Sequence, residues 1–140
     1  MNKEELKALA TRFGMKGNHF HADQRGFIIV TRQGIEHIQD RLNIKVSLTP
    51  FKEWSNPEEG RYVIRCDAMM PAPGGVWKDV TTFGEVTKAN NRNAYPIAMA
   101  EKRAVSRAVL KLAGLYKEGM YGEDEMETQI KPEMLTGDKS

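Results

Sequence analysis

From Ile44 to Val86 three stretches rich in β-branched and aromatic residues, "IKVSLTPFKEW", "RYVIRCDAMM" and "VWKDVTTFGEV", are separated by the turn-forming "SNPEEG" and "PAPGG". Connections this short join neighbouring antiparallel strands, so the pattern predicts a three-stranded meander. In the middle stretch Tyr62, Ile64, Cys66 and Ala68 share one face, while Arg61, Arg65 and Asp67 share the other. That alternation belongs to a sheet with one side buried. Pro50 lacks an N–H and so puts the first strand at an edge or at its end.

The cover for such a sheet follows directly. "YPIAMAEKRAVSRAVLKLAG", Tyr95 to Gly114, reads as one long helix, with Pro96 suited to its first turn and Gly114 to a left-handed C-cap. On a wheel with Arg103 at zero, Ile97, Ala98, Ala104, Val105, Ala108, Val109 and Leu112 fall between about 100° and 240°, the expected core face. Arg103, Arg107 and Lys111 fall at about 0°, 40° and 80°, a basic ridge beside that arc, and no acidic residue of the helix shares it. Glu101 falls in the middle of the apolar arc, where a carboxylate is costly unless a cation or donor meets it. Arg65 and Lys78 are its candidate partners in a structural ion pair, the alternative being an exposed glutamate in an imperfect stripe. Ala98, Ala100, Ala104 and Ala108 are small enough to let the helix lie close to its neighbour.

Ahead of the meander, "NKEELKALATR" predicts a short helix over residues 2–12. The run "FIIVTRQGIEHIQDRLN" predicts a strand over 27–30 and a helix over 32–42, N-capped by Thr31, with Ile35, Ile38 and Leu42 at helical spacing. The expected architecture is thus α+β: an antiparallel three-stranded meander packed against a long C-terminal helix, with short N-terminal helices, forming one domain over residues 1–116. Residues 117–140 are acidic, contain Gly and Pro and have few apolar side chains after Tyr121, the composition of a flexible tail. Such a tail is either a solubilising end or a peptide that competes for the basic surface or recruits a partner.

A chain of 140 residues is long enough to bury one core without disulfides or a metal. The lone Cys66 has no internal partner to bridge to, and no apolar run is long enough to span a membrane or act as a signal segment, so a cytoplasmic, intracellular protein without membrane contact is expected. The formal charge of +2 is uneven. Residues 117–140 hold three Lys against seven Asp and Glu, which leaves 18 basic against 12 acidic residues on 1–116. A basic body favours polyanions such as nucleic acid as partners.

The order of helix, meander and final helix, with "VWKDVTTFGEV" leading through Phe83 and Gly84 to "AEKRAVSRAVLKLAG", resembles the single-strand annealing proteins of the Rad-fifty-two superfamily, including phage recombination proteins of the Sak type. The resemblance covers residues 27–116. It implies a homo-oligomer, a ring or filament, that binds single-stranded DNA in a positively charged groove between sheet and helix. It also implies pairing of complementary strands in recombination and repair, with no nucleotide hydrolysis, no cofactor and no catalytic residue. The family's basic helix positions carry over onto Lys102 and Arg103 or onto Arg107, and Lys111 completes the set of helix candidates. Arg92 in "NNRNAY", Lys78 and Arg65 are further DNA-binding candidates. Tyr95, Trp77 and Trp54 are candidates for base stacking, with a core role as the alternative for the tryptophans. No second, partner-binding domain like that of the family's longer members is expected from these residues. The alternative from another class is a small oligomerising or protein-interaction module whose basic helix is an interface.

Other chemistry finds little footing. His19, His21 and Asp23, with Glu36 and His37, lack a known closed metal spacing, and a single cysteine supports no thiolate cluster. Asp67, Asp79 and Glu85 are scattered as strand-surface charges rather than as the converging carboxylates of a nuclease. "PAPGGVW" has neither the lysine spacing nor the following helix of a phosphate loop.

Overall fold

The three β-patterned stretches form three strands in one antiparallel sheet, and the sheet sits beneath a helix that is wrapped from two sides. The structure is a computed structural model that describes residues 3–90 and 95–125. In chain order its elements are α1 (Lys3–Phe13), β1 (Phe20–Ala22), β2 (Ile28–Val30), α2 (Arg32–Arg41), β3 (Lys45–Pro50), β4 (Tyr62–Pro71), β5 (Trp77–Val86), α3 (Pro96–Ala113) and β6 (Met120–Gly122), with single 3-10 turns between some of them.

The larger sheet has the order β3-β4-β5, with Leu48 opposite Cys66 and Cys66 opposite Thr82. This is the expected meander. Ile64, Cys66 and Ala68 point to the buried face, and Arg65 and Met69 to the exposed one. Cys66 is fully buried, and burial pushes its thiol up to about 11, so it remains a protonated core side chain at neutral pH. The helix packs on β4 and β5 at very short range. A Cβ at Gly84 would lie 1.9 Å from the Ala100 carbonyl oxygen and 2.6 Å from the Ala104 nitrogen, so glycine is what allows the approach. There the Thr82 hydroxyl donates to the Ala104 carbonyl at 2.7 Å.

The second sheet has the order β1-β2-β6, with β6 parallel to β2. Its short strands β1 and β6 carry too few residues to display a period of two, and only the middle one matches an expected strand. Thr31 caps α2 as expected, its hydroxyl accepting from Gly34 N at 3.1 Å. Gly114 ends α3 at φ 74°, and Leu115 N returns to Leu110 O at 2.9 Å.

The helix boundaries match the expectation, but its core face does not. Ile97 is 51% exposed and Ala98 is also exposed, whereas Arg103, Ser106, Leu110 and Ala113 are buried with the expected Ala104, Ala108, Val109 and Leu112. A wheel with one covered face assumes one neighbouring layer. Here α3 has the meander on one side and α2, β6 and residues 123–125 on the other, so its second half is covered nearly all round.

A further correction concerns residues 117–125. These do not form the start of a loose tail: Met120 is 1% exposed within the core, and Glu125 is fully buried. Residues 126–140, the rest of the expected tail, lie outside the described residues. Among the described residues no helix is long and apolar enough to cross a membrane.

Candidate nucleic-acid interface

Strand β5 is the last of its sheet, and carbonyl groups on its far side have no strand to pair with. Two arginines of α3 serve them. Arg103 is 0% exposed. Its Nη1 donates to Glu85 O at 2.9 Å and to Asn90 Oδ1 at 3.1 Å, its Nη2 to Asn90 O at 2.9 Å, and its Nε to Asp124 O at 3.0 Å. Arg107, one turn later, donates from Nη1 to Phe83 O at 2.5 Å and from Nε to Glu125 Oε1 at 3.3 Å. A planar guanidinium has enough donors to satisfy several carbonyls at once, which a lysine in the same place has not.

The expected basic ridge is therefore not one surface. Arg103 and Arg107 turn inward as fasteners between helix and sheet edge, and Arg107 has the buried carboxylate that the helix itself does not provide. Lys111 stays exposed. Lys102 lies about half a turn of the wheel away from Lys111, on the other side of the helix. Lys78 is anchored as well, its Nζ donating to Leu112 O at 3.3 Å near the negative end of the helix. Arg65 lies on the opposite, outer face of the sheet and forks onto Asp67, its Nε within 3.0 Å of Oδ2. The bonds from Arg65 and Thr81 hold the Asp67 carboxyl below its usual range. Arg92 is outside the described residues.

Glu101 meets neither Arg65 nor Lys78, and it makes no ion pair among the described residues. Its place in the apolar arc has a different cause. At the first half of α3 the arc faces an open groove of about 400 Å³ between α2, β3 and α3. Ile35, Val46, Leu48 and Val105 give it an apolar floor, and Arg32, Glu36, Gln39, Glu101 and Lys102 stand on its walls. Sequence reasoning missed Arg32. Its signal is an arginine at the first position of a helix, where the positive end of the dipole disfavours it unless acids are near. Those acids are Glu36, 3.5 Å away, and Asp124, also 3.5 Å away.

The groove is bordered by the outer edge of β3, which pairs with no strand among the described residues. Phe51 N donates to Val63 O, and by alternation the pairs 49↔65, 47↔67 and 45↔69 are the mutually bonded ones. The backbone groups of Val46 and Leu48 then face outward. Leu48, Ile97 and Tyr95 are 37%, 51% and 72% exposed.

The stacking candidates belong to different elements. Tyr95 caps the start of α3, and Trp77 opens β5 with 54% exposure. Trp54 belongs to an aromatic cluster with Phe51 and Phe83, ring centroids 4.6 to 5.1 Å apart. Arg61 donates from Nε to the Trp54 carbonyl at 2.9 Å and pairs with Glu59, so charges of both signs lie beside the cluster.

His19 and His37 do come together, as stacked rings 4.5 Å apart. His19 Nδ1 accepts from Lys16 N at 3.0 Å, and a His37 Nε2 contact of 2.8 Å goes to Phe13 O. Asp23 is held by Arg25 and by the Phe27 N–H. Among the described residues no three potential metal ligands converge. No known family model matches this sequence, and no curated protein is significantly similar to it.

Proposed function

We propose that this protein binds single-stranded DNA and anneals complementary strands in recombination or repair, as a homo-oligomer and without hydrolysing nucleotide. The observation that carries this reading is the open groove whose walls bring Arg32 and Lys102 together, beside Glu36 and Glu101, on a basic body with a helix and meander in the order that resembles the annealing family. Contacts from these cations to phosphate are independent of sequence, so any strand fits. An apolar floor of Ile35, Leu48 and Val105 accepts the faces of bases without selecting among them. Lys111 and Lys78 supply further positive charge at the far end of the helix.

The test is a titration of labelled oligothymidylate and of a duplex of equal length across a salt series, followed by mixing of complementary strands. A groove of this kind should prefer the single strand, lose affinity as salt rises, and speed the pairing of complementary strands. Equal or no binding to both, at low salt, rejects it.

The second reading, an oligomerising module without a nucleic-acid partner, is favoured by the outward-facing edge of β3 and the exposed Leu48 on it. Exposed edges of this kind are templates for another strand. Leu48→Glu tests it by sedimentation: a fall in mass with oligonucleotide binding absent in the parent protein supports the second reading over the first.

A further inference from the structure

Three consecutive carboxylates, Glu123, Asp124 and Glu125, lie against the cationic side of α3 and the start of α2. Glu123 Oε1 accepts from Arg32 N at 2.5 Å, and Asp124 Oδ2 lies 3.5 Å from Arg32 Nη1. The Asp124 carbonyl accepts from Arg103, and Glu125 accepts from Arg107, from Gly122 N and from the Tyr116 hydroxyl. Burial raises the Asp124 carboxyl, while Arg32 and Lys102 act on it in the opposite direction. Of the two cations on the groove walls, Arg32 is met by the acidic run at its backbone and its guanidinium, as well as by Glu36 on its own helix, and Lys102 lies close enough to act on the Asp124 carboxyl.

We infer that Glu123 and Asp124 form a built-in competitor that keeps Arg32 and Lys102 from a polyanion until the polyanion displaces them. The inference rests on the strand-binding reading above and adds its regulation. The run divides into an anchor and a releasable part. Glu125 is fully buried and bonded on several sides, and Met120 holds the same segment in the core. Glu123 is exposed and the Asp124 side chain is 12% exposed, and their contacts to Arg32 are charge-assisted bonds of the kind that phosphate oxygens also make. A strand entering the groove exchanges those carboxylates for phosphates, and the fold beneath keeps its anchor.

The experiment compares three full-length proteins by anisotropy of labelled oligothymidylate over a salt series: the parent, Glu123→Gln with Asp124→Asn, and a control of equal charge change, Glu53→Gln with Glu58→Gln. The competitor predicts about tenfold tighter binding for the first variant at low salt. It also predicts a steeper slope of log affinity against log salt, by about 0.7 for each additional phosphate neutralised on a single strand. The control shifts affinity less than about threefold and keeps the parent slope. Adding Arg32→Ala to the first variant removes most of its advantage. If the parent binds and the two double variants behave alike, the competitor is overturned and strand binding stands. If none of the proteins binds, both are overturned.

Discussion

The two edges of the meander are built from the same kind of strand but end differently. At β5 the outward carbonyls of Phe83 and Glu85 are taken up by Arg107 and Arg103, and residues 116–125 close over the arginines. At β3 the outward backbone groups of Val46 and Leu48 meet no partner among the described residues, and Arg32 and Lys102 stand on the walls of the groove beside them. The difference teaches that a basic helix is not by itself a binding surface. Its cations are divided between holding the sheet's edge and facing outward, and the division follows from which side of the helix is covered.

Arg103→Ala should break the sealed edge and have the largest effect. It leaves the acceptors of Glu85, Asn90 and Asp124 buried without their donor, for a loss of roughly 3–5 kcal/mol in urea denaturation. Arg103→Lys restores little of it, because an ammonium has no planar fork. A full loss of oligonucleotide affinity with unchanged stability would instead return Arg103 to the binding surface.

Gly84→Ala comes next. Its methyl group has no space below Ala100, and the helix must lift from β5 at a cost of roughly 1–3 kcal/mol, read from the same denaturation curves.

The third effect is a pH dependence at the sealed edge. Burial pushes the Glu125 carboxyl up from 4.5, against the bonds from Tyr116, Gly122 and Arg107. The folded protein then binds this proton more readily than the unfolded chain, so Glu125's contribution to stability rises as pH falls from neutral through its raised folded value, and the rise is complete below 4.5. The His19 imidazole, lowered from 6.5 by burial and by His37 and Lys16, acts the other way and loses stability as pH falls below 6.5. The difference between the parent and Glu125→Gln isolates the first contribution. Parallel urea midpoints for the two proteins from neutral to acid pH would contradict it.

The smallest effect is at the open edge. Glu101→Gln removes a negative charge from the groove and should tighten oligothymidylate binding about two- to threefold at low salt, with no measurable change in stability.

These contrasts also explain what can be read from the residues alone. The meander is legible because turn-forming segments separate its strands, and the ends of α3 because Pro96 and Gly114 mark them. The covering of α3 is not. Its second layer comes from α2, β6 and residues 123–125, which are short or acidic and carry no periodic signal. Arg103 reads as a surface residue because its acceptors lie 13, 18 and 21 residues away in sequence. Glu101 stands out in the sequence as an anomaly, but what it marks is an open groove rather than a buried ion pair.

The most direct measurement of the division of cations is a salt series of oligothymidylate binding with Arg32→Ala and Lys102→Ala combined, alongside its urea denaturation. If these two cations face outward to a strand, the variant keeps a stability close to the parent's, binds about tenfold more weakly at low salt, and shows a slope shallower by about 1.4, the value for two fewer phosphates neutralised on a single strand. Parent-like affinity and slope in a folded variant would contradict it.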